Sequence, residues 1–128
     1  MKQFSVDLKE AVAADITDLL QTAIGEMDGE RLVGIMADSP VTALFVGEKD
    51  LATCELAAQL QGLFPARGAY KHYRTSPVHY AADLRAALTG KSLTLLYADG
   101  RLLLPGKQRV FAVNFEMSAP VTFYVTAR

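Results

Sequence analysis

The chain has 128 residues, enough for one hydrophobic core and tight for two, so a single domain over residues 1–128 is expected. With 51% hydrophobic and 21% charged residues it has the composition of an ordered globular domain, and long disordered tracts are excluded. Net charge is −1 but unevenly spread: residues 1–64 hold 4 Lys/Arg against 11 Asp/Glu, residues 65–128 hold 9 against 3.

No apolar run approaches the ~18–20 residues of a membrane span, so no membrane association is expected. The start, MKQFSVDLKEAVAADI, meets acidic residues at once and has no apolar signal-peptide core. One cysteine, Cys54, forms neither an internal disulfide nor a cysteine zinc site. A cytoplasmic location is the expectation.

In chain order, Leu8, Val12, Ile16, Leu19, Leu20, Ala23, Ile24 and Met27 recur at steps of three and four. That spacing predicts an amphipathic helix with an Asp7–Glu10 capping box and a stop at Asp28-Gly29. RLVGIMA (31–37) and VTALFVG (41–47) read as strands joined at Asp38-Ser39-Pro40, as a hairpin. KDLATCELAAQLQGLF reads as a helix capped by Asp50 and closed by Pro65. GAYKHYRT (68–75) reads as a strand.

SPVHYAADLRAALTG reads as a helix: Ser76 is the N-cap, Pro77 the first helical residue, and Gly90 the stop. Tyr80, Leu84 and Leu88 are its expected core stripe. SLTLLYA (92–98) is a strand, and Asp99-Gly100 a two-residue hairpin turn into RLLLP. RVFAVNFEM (109–117) and VTFYVTA (121–127) complete the chain as strands, with Phe111, Val113 and Phe115 on one face. The expected fold class is α+β (mixed α/β). About three helices pack on a single mixed sheet, whose central β-α-β-α-β segment, with parallel strands, precedes a C-terminal antiparallel meander.

YKHYRTSPVHY, residues 70–80, holds both histidines. A strand end followed by a Ser-capped helix start offers backbone N–H groups and the positive end of the helix dipole to an anion. Tyr70, His72, Arg74, Ser76 and His79 are the candidate residues there. Lys107 and Arg109, with Arg101 and Lys91, are candidates for a basic rim. His79 and Asp83, four apart on a helix, are expected neighbours.

The strong motifs are absent. There is no Walker or dinucleotide glycine loop and no serine-hydrolase elbow. Two histidines with few nearby carboxylates make a poor metal site. No cofactor is therefore implied, and binding is favoured over catalysis. The leading reading is a small soluble binding or regulatory domain whose basic C-terminal half recognises an anionic ligand or partner: a nucleotide, a nucleic acid or an acidic protein surface. A second is a protein-interaction module that forms a homo-oligomer, or binds another protein, through its first helix or a sheet edge. The third is a small enzyme acting on a phosphate-containing substrate with His79 or His72 and Arg74.

Overall fold

The computed structural model describes residues 1–50, 56–65 and 77–128. Among these the chain forms an α+β fold of three helices and eight strands. The strands are β1 (Lys2–Leu8), β2 (Ala14–Asp15), β3 (Arg31–Ala37), β4 (Thr42–Gly47), β5 (Ser92–Ala98), β6 (Arg101–Leu102), β7 (Arg109–Asn114) and β8 (Ala119–Ala127). The helices are α1 (Thr17–Ile24), α2 (Leu56–Leu63) and α3 (Pro77–Thr89). No helix among the described residues is long and apolar enough to cross a membrane.

The strands divide into two hydrogen-bonded ladders. One has five strands in the order β1-β8-β3-β5-β6, the other three in the order β2-β7-β4. Every ladder among the described residues is antiparallel, where parallel crossovers were expected around the helices. The C-terminal strands are antiparallel as expected. β5 and β6 make the Asp99-Gly100 hairpin, both turn residues having the positive φ, 54° and 83°, that a tight right-twisted connection needs.

β3 and β4 do not form the expected hairpin. At Asp38 the chain leaves one ladder and enters the other. The Asp38 N–H donates to Thr122 O, and the Val41 carbonyl accepts from Phe115 N–H on the far side of the corner. Ser39 Oγ accepts from the Val41 N–H and the Thr42 hydroxyl, which fixes the bend.

The inner face of the five-stranded ladder, one face of the three-stranded ladder and α1 enclose the larger core. It holds Ile16, Leu20, Val33, Ile35, Leu44, Tyr97, Val110, Phe123 and Val125 among others. The opposite face of β4 and β7 packs on α2 and α3 through Val41, Ala43, Val113 and Phe115 against Leu60, Ala82 and Ala86. Both strands are thus covered on both faces, which is why they read as continuous apolar runs rather than alternating ones. Phe45 and Phe111, directly opposite in register, stack with centroids 5.6 Å apart.

The first helix differs most from expectation. Residues 2–8 form a strand whose Phe4, Val6 and Leu8 alternate inward, paired to β8 over its whole length. Ala11 turns the chain with φ 56°, and helix begins only at Thr17. Asp7 and Glu10 cap nothing there; instead the Asp15 carboxylate accepts from the Thr17 N–H at 3.0 Å. The helix stops at Gly25, φ 71°, not at Asp28-Gly29. Lys49 and Asp50 are themselves helical, so Asp50 does not hold the non-helical cap position expected of it.

α3 starts at Pro77 and ends at Gly90 as expected, but its buried face is Ala81, Ala82, Arg85 and Ala86. Tyr80 and Leu84 are half-buried and Leu88 is exposed, because the small alanine side chains let the helix sit close on β4.

Candidate functional site

Two clusters of polar side chains stand out, at opposite ends of β7. At its start, Arg109 reaches back to the approach to α1. Its Nε donates to Asp15 Oδ2 at 2.8 Å and its Nη2 to Asp18 Oδ1 at 3.0 Å. The hydrogen bond to Asp15 is the main cause raising the guanidinium's already high pKa. Burial pushes the Asp15 carboxyl up, but hydrogen bonds from Arg109 and Thr17 outweigh it and hold the group below its ordinary value. Beside this pair, α1 and the β6–β7 connection border a groove of about 730 Å³. Its polar lining comes from Thr17, Gln21, Arg101, Lys107, Gln108 and Arg109, with apolar residues of 102–105 as its floor. No Asp or Glu among the described residues lines it. Among the described residues, no carboxylate lies within ion-pair distance of Arg101 or Lys107.

At the other end of β7, roughly 20 Å along the strand, His79 lies in the first turn of α3. Its Nδ1 is 2.7 Å from Glu116 Oε2, and its Nε2 is 3.4 Å from Asp83 Oδ2. Both ring nitrogens face carboxylate oxygens, so only the doubly protonated ring donates to both. Glu116 is placed by the turn after β7. The buried Asn114 accepts the Glu116 N–H through Oδ1 and donates to Met117 O through Nδ2. Asp83 Oδ1 is buried with no hydrogen-bond partner among the described residues. Nowhere among the described residues do three or more His, Cys, Asp or Glu gather as a metal site would need.

Of the sequence-derived site residues, those within the described part of the chain fall at the two ends of β7. Lys107 and Arg109 come together with Arg101 in the groove. Lys91 does not join them: its carbonyl accepts from Ala37, at the other end of β5. His79, expected at a helix-start anion seat with Arg74 and Ser76, stands at the far end of β7 from Lys107 and Arg109, with a carboxylate oxygen near each ring nitrogen. Its expected neighbour Asp83 is beside it. Tyr70, His72, Arg74, Ser76 and Cys54 lie outside the described residues, as does the strand expected at 68–75. The sequence reading missed Asp15 and Asp18 as partners of Arg109, and Glu116 as partner of His79. Asn114, a polar residue inside an apolar strand run, was the available signal for the second cluster.

These elements define a class of small α+β domains with two antiparallel ladders and helices packed on the smaller one. Residues 2–127 match the family described as UPF0047 protein YjbQ-like, and the chain belongs to that family. A UPF0047 protein of Archaeoglobus fulgidus is 29% identical over 109 residues, 84% of each chain. Solved structures share the fold. A conserved hypothetical protein of Thermus thermophilus superposes with TM-score 0.84 at 25% identity, covering 97% of both chains. An Aeropyrum pernix hypothetical protein gives 0.85 at 21%, covering 98% of this chain and 96% of that one. A YjbQ/UPF0047 family protein of Clostridium acetobutylicum gives 0.82 at 22%, covering 98% of both.

Proposed function

We propose that this chain is a small anion-binding domain whose ligand, a phosphate-bearing small molecule, sits in the groove between α1 and the β6–β7 connection. The observation that carries this reading is the convergence of Arg101, Lys107 and Arg109 on a groove with no acidic residue among the described residues of its lining. The guanidinium of Arg109 is pre-positioned by Asp15, so its remaining N–H groups are held in a fixed fork. Asp18, whose side chain is 85% exposed, occupies one arm of that fork and is the group an incoming anion displaces. Gln21 supplies a polar side chain to the same wall, while the Thr17 hydroxyl beneath it is engaged with Val110.

The catalytic reading is weaker on the same geometry. His79 has an acid at each ring nitrogen and lies at the far end of β7 from the three cations. Phosphate, nucleotides and short oligonucleotides titrated at low salt test the binding reading by calorimetry and by thermal shift. Saturable binding that weakens with salt is expected, and R101E combined with K107E abolishes it. Heat and melting temperature unmoved by all three classes of anion would overturn the proposal.

A further inference from the structure

The two carboxylates on Arg109 are held in different ways. Asp15 belongs to β2, which pairs with β7 at Phe111, so its backbone is fixed beside the strand that carries Arg109. Both of its oxygens are engaged, Oδ1 with the Thr17 N–H at 3.0 Å and Oδ2 with Arg109 Nε at 2.8 Å. Asp18 lies in the first turn of α1 and meets Arg109 Nη2 through Oδ1 at 3.0 Å. Among the described residues its side chain makes no other hydrogen bond or ion pair, and it is 85% exposed against 38% for Asp15.

Asp18 is also placed to let go. It does not line the basic groove. It lines the adjoining recess of about 450 Å³, together with Thr22, Gly25 and Glu26, and reaches Arg109 from there. Gln21 is the wall common to both hollows. Rotation about the side-chain bonds of Asp18 withdraws its carboxylate into open space while α1 stays where it is. Exposed side chains make such rotations in picoseconds to nanoseconds.

We infer that Asp18 is an autoinhibitory latch on the groove, closed on Arg109 Nη2 when the groove is empty and swung into the adjoining recess when an anion takes that arm. Asp15 is the fixed anchor of the same guanidinium and stays in place in both states. The latch rests on the anion-binding reading of the groove and adds its control. Exposed ion pairs of this kind favour the closed form by about 1.5- to 5-fold, so the arm is open in about a sixth to two-fifths of molecules. Apparent affinity falls by the inverse, about 2.5- to 6-fold, and by the same factor for every anion that needs the arm.

Calorimetric titration of inorganic phosphate and of sulfate at low salt tests this, with wild type, Asp18→Ala and Asp15→Asn. Asp18→Ala removes the acceptor and is expected to bind both anions about 2.5- to 6-fold more tightly, by one common factor. Asp15→Asn keeps an acceptor for the Thr17 N–H but gives up the charged anchor, and is expected to bring no gain. If both variants tightened binding alike, the cause would be the general loss of negative charge and the latch would fall. Asp18→Ala binding like wild type would also overturn it, with the groove reading left standing. Anions bound by none of the three chains would sink the groove reading itself, and the latch with it. A second readout needs no bound anion: modification of Arg109 by the neutral arginine reagent phenylglyoxal, followed by peptide mass. The Asp18 bond helps to raise the guanidinium's pKa, so Asp18→Ala is expected to react faster; an unchanged rate would show that Asp18 does not hold the arm.

Discussion

Thr17 and Val110 are joined by a reciprocal hydrogen bond, the Val110 N–H donating to Thr17 Oγ1 at 2.8 Å and the hydroxyl returning to Val110 O at 3.5 Å. Both residues are almost fully buried, and the bond ties the first turn of α1 to the strand that carries Arg109. Thr17→Val keeps the shape but strands the Val110 N–H in the core, since the Val110 carbonyl retains Ile16 N–H but the donor has no substitute. A loss of about 1–3 kcal/mol in unfolding free energy is expected. Urea denaturation would show it as a lower midpoint at unchanged slope; a difference within error would mean that the hydroxyl is dispensable.

The Asp15 carboxyl, lowered by Arg109 and Thr17, gives stability a defined pH dependence. Because its folded value lies below the ordinary 3.8, its contribution is complete above that value and is lost as pH falls through the folded value. Asp15→Asn removes the contribution at every pH. The urea midpoints of wild type and variant are therefore expected to differ by a constant amount near neutrality and to converge in acid below the ordinary value. A gap that persists undiminished under those acidic conditions would assign the effect to something other than this charge.

Gly90 ends α3 with φ 107° while its N–H closes onto Ala86 O at 2.8 Å and its carbonyl accepts from Leu44 N–H. The residue is thus fixed from both sides in a region where a Cβ is strained. Nothing lies within 4 Å of a Cβ built there, so sterics with neighbours are not the issue. Gly90→Ala is expected to cost about 1–3 kcal/mol through backbone strain alone. A thermal melt showing no loss would mean that α3 re-forms its end with another φ.

How far the fold could be read from residues alone varied by element. The runs that became β3, β4, β5, β7 and β8 were legible as β-branched apolar segments, and the Pro77 and Gly90 boundaries of α3 as helix punctuation. Asp99-Gly100 carried its turn geometry in two letters. The amino-terminal strand did not show, because Phe4, Val6 and Leu8 at a spacing of two run into Ile16, Leu20 and Ile24 at a spacing of four. The joined pattern from Leu8 onward satisfies a continuous helix, and only pairing with β8, more than a hundred residues away, separates the two. Likewise β3 and β4 look like a hairpin locally; their partners are chosen by distant strands. The basic rim at Lys107 and Arg109 was legible since both flank one turn. Glu116, 37 residues from His79, was not, because nothing local couples a turn residue to a helix start.

Arg85 lies on the buried face of α3, where the core-stripe reading expected Tyr80, Leu84 and Leu88, and its position has a measurable consequence. It is buried, and its Nε and Nη2 both donate to Phe64 O, at 2.9 and 2.7 Å, so α3 holds the carbonyl just past the end of α2. The guanidinium turns two donors onto that one carbonyl oxygen. Arg85→Met preserves the stem and removes both donors, leaving the Phe64 carbonyl without them in a half-buried place. The expected cost is about 1–3 kcal/mol. Its signature is local: hydrogen exchange rises in peptides spanning α2 before it rises in β3 or β8. Uniform acceleration across the chain would show that the two helices and the ladders open together, and that Arg85 serves the whole core rather than the α2–α3 contact.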